Sequence, residues 1–109
     1  MIRRNRKVLE AGIKKAKSKK LKALAYYELG LFHDNNSRER EAIPNYKQAL
    51  RLGLPIVLKA KALAWLSSSL YKTNNRKAAV IKCNEAFRLS RDSNLTKFLN
   101  GLKKRISTV

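Results

Sequence analysis

Few residues in this chain could do covalent or proton-transfer chemistry, and they do not cluster. His33 is the one histidine, and it stands beside Asp34. A His–Asp pair could carry a proton. At a predicted helix end, however, a solvated or capping role is the expectation. Cys83 is the one cysteine and falls at a predicted core position, where it reads as a small hydrophobe rather than a nucleophile. No Cys/His cluster has zinc-ligand spacing. No glycine-rich phosphate loop or nucleophile elbow occurs. Seven acids scattered among 26 bases offer no paired carboxylates for general acid–base work. The expectation is a protein that is not an enzyme, with no metal and no cofactor.

Charge offers a different chemistry. Across 109 residues the net charge is +19, and it is unevenly spread. Arg3, Arg4, Arg6, Lys7, Lys14, Lys15, Lys17, Lys19, Lys20 and Lys22 crowd the first 22 residues, against Glu10 alone. On a helix these ten would form a basic stripe able to contact phosphates. Nothing matches a recognition helix, an RNA-reading sheet or a zinc module. Nucleic-acid binding would therefore run through the backbone and ignore sequence. A membrane-surface role fits less well, because the apolar face of the arm lacks Trp and Phe. The bland alternative is a solvated face that keeps the protein in solution. No apolar run is long enough to span a bilayer, and the start Met1-Ile2-Arg3-Arg4 has no apolar signal core. A cytoplasmic protein is expected.

The elements that would position these groups are repeated. Ala23–Pro55 laid over Ala60–Asp92 matches Ala23 with Ala60, Leu29 with Leu66, Ala42 with Ala79, Ala49 with Ala86 and Leu52 with Leu89, at an offset of 37 residues. Between these, Gly30 meets Ser67 and Tyr46 meets Cys83. Small residues recur where two helices would have to touch. Repeats of this length signal stacked units that cannot bury their apolar faces alone.

Along the chain, Leu9, Ile13 and Ala16 predict a helix over about Asn5–Lys17, read as the survivor of a degenerate upstream repeat. Lys17-Ser18-Lys19-Lys20 would be a turn, or a single helix would run from Asn5 to Phe32. Helix A of the first repeat is expected over Leu21–His33 with Tyr26, Leu29 and Phe32 inward. Gly30 should let its partner approach. Asp34-Asn35-Asn36-Ser37 is turn chemistry. Helix B runs to Leu52, with Gly53 suited to the C′ position. Pro44 demands a late start near Arg40 or Glu41, or a kink. The second pair is Val57–Lys72 and Arg76–Leu89. A last helix over Asn94–Ile106 is capped by Asp92 or Ser93.

These positions resemble the tetratricopeptide repeat. The residues that carry the resemblance are Tyr26, Leu29, Gly30, Ala42, Tyr46 and Ala49 in the first repeat, and Leu63, Leu66, Ser67, Ala79, Cys83 and Ala86 in the second. The second departs from the family pattern at Ser67 and Cys83, and the family proline is absent from both. The run Arg38-Glu39-Arg40-Glu41-Ala42-Ile43-Pro44 is similar to a compact bacterial subgroup. The resemblance covers about residues 20–106. It implies an all-α, right-handed superhelical stack of antiparallel helix pairs. Within one domain of residues 1–109, the parts would be a basic arm 1–20, repeats 21–55 and 56–92, and a capping helix 93–106.

The resemblance also implies a concave groove lined by the A helices. Its candidate residues are Tyr27, Leu31, Lys61, Trp65, Ser68, Tyr71 and Lys72. Aromatic rings beside ammonium groups suit an acidic peptide with an apolar anchor. Alternatively, Tyr27, Trp65 and Tyr71 merely pack against the arm or the cap. A chaperone-tail clamp is ruled out, because its Lys and Asn positions hold Tyr27, Leu31 and Trp65. The end faces of so short a stack could also pair two chains as a homodimer.

Overall fold

The structure, a computed structural model, describes residues 5–107. These residues form six α-helices and no strand: α1 (Arg6–Lys15), α2 (Lys19–Asn35), α3 (Glu39–Leu52), α4 (Ile56–Lys72), α5 (Arg76–Leu89) and α6 (Ser93–Ser107). They gather into two compact units that divide between Leu54 and Pro55. In the first, α2 packs on α3 and on α1. In the second, α4 packs on α5, and α6 packs on both.

The two helix pairs share one frame. Each boundary of α4 and α5 lies 37 residues after the matching boundary of α2 and α3. The turns repeat as well. Ser37 and Asn74 take positive φ, at 58° and 67°. The amide of Arg38 donates to the His33 carbonyl at 2.8 Å, and that of Asn75 to the Leu70 carbonyl at 2.8 Å. With Ser37 N–H on Asp34 and Asn74 N–H on Tyr71, both at 3.1 Å, each helix ends in a Schellman motif. In the first turn the left-handed residue is Ser37, not one of the two asparagines before it.

Polar side chains cap the starts of α1, α2 and α6. The Asn5 side chain accepts from the Val8 amide at 3.0 Å, and Ser18 accepts from the Leu21 amide at 3.2 Å. Ser18 therefore starts a new helix inside the lysine-rich stretch, and the single helix from Asn5 to Phe32 does not form. Gly53, at φ 105°, ends α3 as expected. Asp92 caps α6, its carboxylate accepting from the Asn94 amide at 2.8 Å. Pro44 lies inside α3, which begins at Glu39 rather than late. Its ring is on the exposed side of the helix. In the same turn Asn45 donates its side-chain amide to the Glu41 carbonyl at 2.8 Å.

Ala42, Ala49, Ala79 and Ala86 are all fully buried. In the first unit the pair closes around Tyr46. The Tyr27 ring lies 6.2 Å from it, and the Tyr46 hydroxyl donates to Asp34 at 2.9 Å. Gly30 sits beneath the ring, where an added Cβ would come within 2.7 Å of two ring carbons. Tyr27, Gly30 and Asp34 are three and four residues apart, one stripe of a helix. The inward face of α2 is thus turned one residue from the expected Tyr26 and Phe32, which are half-buried. In the second unit both partners are small. Ser67 donates to the Ala79 carbonyl at 2.7 Å, and the Cys83 thiol faces the Leu99 carbonyl at 3.9 Å.

The packing at Gly30 yields a contrast. Gly30→Ala pushes a methyl into a fully buried ring whose hydroxyl is anchored on Asp34 of the same helix, which costs about 1–3 kcal/mol. Gly12→Ala and Gly101→Ala meet nothing within 4 Å. Both sit in helices, where Ala is favoured by roughly 0.5–1 kcal/mol. Urea unfolding should place Gly30→Ala below the native protein and the other two at or above it.

Candidate functional site

The residues expected to form a groove are not equally open. Tyr27 is 7 % exposed and Ser68 only 9 %, so both belong to packed interiors rather than to an open wall. Tyr27 is held there by Tyr46. Leu31 is half-buried and borders a hollow between α1 and α2 with Leu9 and Phe32. Trp65 packs edge-on against Phe98 of α6, with ring centroids 4.9 Å apart. That is the alternative in which the ring seats the last helix. Tyr71 is half-buried, with the Arg76 guanidinium 5.8 Å from its centroid. Lys61 is half-buried and Lys72 exposed. Tyr27 and Leu31 belong to the first unit, the other five residues to the second.

The basic patch is more coherent. Arg3 and Arg4 lie outside the described residues. Arg6 pairs with Glu10 at 2.7 Å, and Lys7 is exposed. Lys14, Lys15, Lys17, Lys19, Lys20 and Lys22 are all exposed around the α1–α2 turn. Lys14 and Lys15 suit the negative end of α1. Lys19, Lys20 and Lys22 stand in the first turn of α2, where the helix dipole is already positive. No acid occurs between Glu10 and Glu28 to relieve them. The turn therefore concentrates positive potential at the surface.

His33 departs from its expected place. Its carbonyl does cap the turn, but its ring is 3 % exposed and Nδ1 has no hydrogen-bond partner. Burial holds its pKa below the ordinary 6.5. Arg6 adds to that effect, and Glu41 opposes it. Tyr46 is pushed far up, first by burial and then by Asp34, so it stays a hydrogen-bond donor. Burial also raises the Cys83 thiol, against smaller effects of Ser67 and Lys103. A protonated, buried thiol is a poor nucleophile.

Among the described residues no group of three or more His, Cys, Asp or Glu could hold a metal ion. No described helix is long and apolar enough to cross a membrane. What the sequence reading missed is an apolar cleft in the second unit. It is lined by Ile56, Val57, Ala60, Leu89 and Leu95, with Lys61, Arg91 and Asp92 among them. The signal was present in the repeat, since Ile56 and Val57 stand where the first pair has Lys19 and Lys20. No protein-family model matches this chain, and no curated protein compared with it matches.

The state of His33 predicts a pH dependence. The unfolded chain takes a proton near pH 6.5, whereas the folded ring resists it until lower pH. Its contribution is therefore fully present above pH 6.5 and is lost as pH falls through that value toward the folded pKa. Unfolding midpoints at pH 7.5 and pH 5 should fall with acid in the native protein. His33→Leu should flatten that fall, and an unchanged slope would contradict the assignment.

Proposed function

We propose that this chain is a non-enzymatic, tetratricopeptide-like interaction domain of the cytoplasm that binds an acidic protein segment. The reading rests above all on the shared frame of the two pairs, in which helix boundaries and Schellman turns recur at 37 residues. Repeating hairpins of this kind expose helix faces to partners and need no catalytic constellation. In this reading the pairs stack as a right-handed superhelix, α1 is the remnant of a preceding repeat, and α6 closes the stack. The net charge of +19 selects for acidic partners.

A second reading has its own support in the six exposed lysines around the α1–α2 turn. There a nucleic-acid backbone would be held by phosphate contacts alone, without regard to sequence.

Salt separates the two. Partners captured from a native lysate, with and without nuclease, should persist after nuclease on the protein-binding reading. Affinity for the captured protein should change less than about tenfold between 50 and 200 mM salt. A phosphate-driven complex making 6–10 contacts would instead weaken by roughly 10³–10⁵-fold over that range. Replacing Lys19, Lys20 and Lys22 with Gln should leave the protein partner bound. Loss of all captured material on nuclease treatment would favour nucleic acid.

A further inference from the structure

The cleft of the second unit has the form of a socket for one side chain. Ile56, Val57 and Ala60 on α4, Leu89 at the end of α5 and Leu95 on α6 enclose about 150 Å³. A space of that order holds a benzene-sized group. Ile56 and Val57 are the first two residues of α4 and are 48 % and 61 % exposed. Helix formation does not call for branched aliphatics there, because lysine has the better propensity. The first pair carries lysines at these positions. The second pair thus gives up two charges and leaves two aliphatic side chains in water beside an apolar hollow.

The charged residues around the hollow differ in what they are free to do. Asp92 is committed to the α6 amide of Asn94. Lys61 and Arg91 line the same cleft, and among the described residues neither forms an ion pair. The second unit as a whole carries twelve Lys and Arg against Glu85 and Asp92. An apolar hollow with cations at its mouth complements an apolar group flanked by anions.

We propose that this cleft is where an acidic peptide segment docks, one large apolar side chain filling the hollow and flanking carboxylates meeting Lys61 and Arg91. The proposal rests on the acidic-partner reading above. It moves the contact from the middle of α4, where Trp65 and Ser68 serve packing, to the first turn.

The test uses the full chain, labelled with ¹⁵N, and two synthetic glutamate-rich peptides. One carries a central Phe and the other Ser in its place. The Phe peptide should bind at least tenfold more tightly. Its amide shifts should centre on Ile56, Val57, Ala60, Lys61, Leu89 and Leu95. Ile56→Ser and Lys61→Glu should each weaken binding about tenfold, a difference of roughly 1.4 kcal/mol, with helix content unchanged by circular dichroism. Equal binding by the Ile56→Ser protein, or shifts centred elsewhere, would overturn the cleft and leave the interaction reading standing. Equal binding of the two peptides to the native chain would overturn the apolar anchor. Binding of neither would overturn the acidic-partner reading as well.

Discussion

The first helix pair depends on the contact between the Tyr46 ring and the bare backbone of Gly30. An aromatic ring can lie that close to a neighbouring helix only where the neighbour has no Cβ. Once the ring is seated, the rest follows. Its hydroxyl reaches Asp34, Tyr27 tilts against its face, and Ala42 and Ala49 are drawn into full burial one turn to either side. The second pair solves the same problem with the sizes redistributed. Cys83 replaces the ring and Ser67 the glycine, so the hydroxyl has room to bond the Ala79 carbonyl. In both, the polar group at this contact is satisfied, the Tyr46 hydroxyl by Asp34 and the Ser67 hydroxyl by the Ala79 carbonyl.

Electrostatics works against this packing throughout. Twenty-six cationic side chains against seven acids load a small core with self-repulsion. Lysines in the first turn of α2 add an unfavourable term at the helix dipole. A protein that needed only solubility could carry fewer charges and place them at helix C-termini. They concentrate instead at the α1–α2 turn, and at the apolar hollow of the second unit Lys61 and Arg91 form no ion pair among the described residues.

Much of the architecture was legible because the 3.6-residue period and the small residues agree. The end of α4 at Lys72 and both bounds of α5, Arg76 and Leu89, fall where the repeat places them. Other features turn on a single atom or a one-residue rotation. A run of lysines neither favours nor forbids a break, so the start of α2 hinges on one hydroxyl, that of Ser18. Tyr26 and Tyr27 are adjacent, and periodicity alone does not say which faces inward; Gly30 decides it. His33 looked solvated or capping because it closes a helix; its carbonyl does accept from the Arg38 amide, yet the residue is buried. The groove residues were the least legible. Tyr27 and Ser68 are as apt for a core as for a surface, and Trp65 found Phe98. The cleft at Ile56 and Val57 emerges only when the two repeats are compared where they differ.

The central claim is that the helices of the first pair approach through Gly30 and Tyr46, and a double-mutant cycle tests it most directly. Gly30→Ala is measured in the native background and again with Tyr46→Ala, by urea unfolding. The account predicts that the alanine methyl is costly beneath the ring and harmless once the ring is gone, with a coupling of about 1–3 kcal/mol. A coupling near zero, with Gly30→Ala equally costly in both backgrounds, would contradict it.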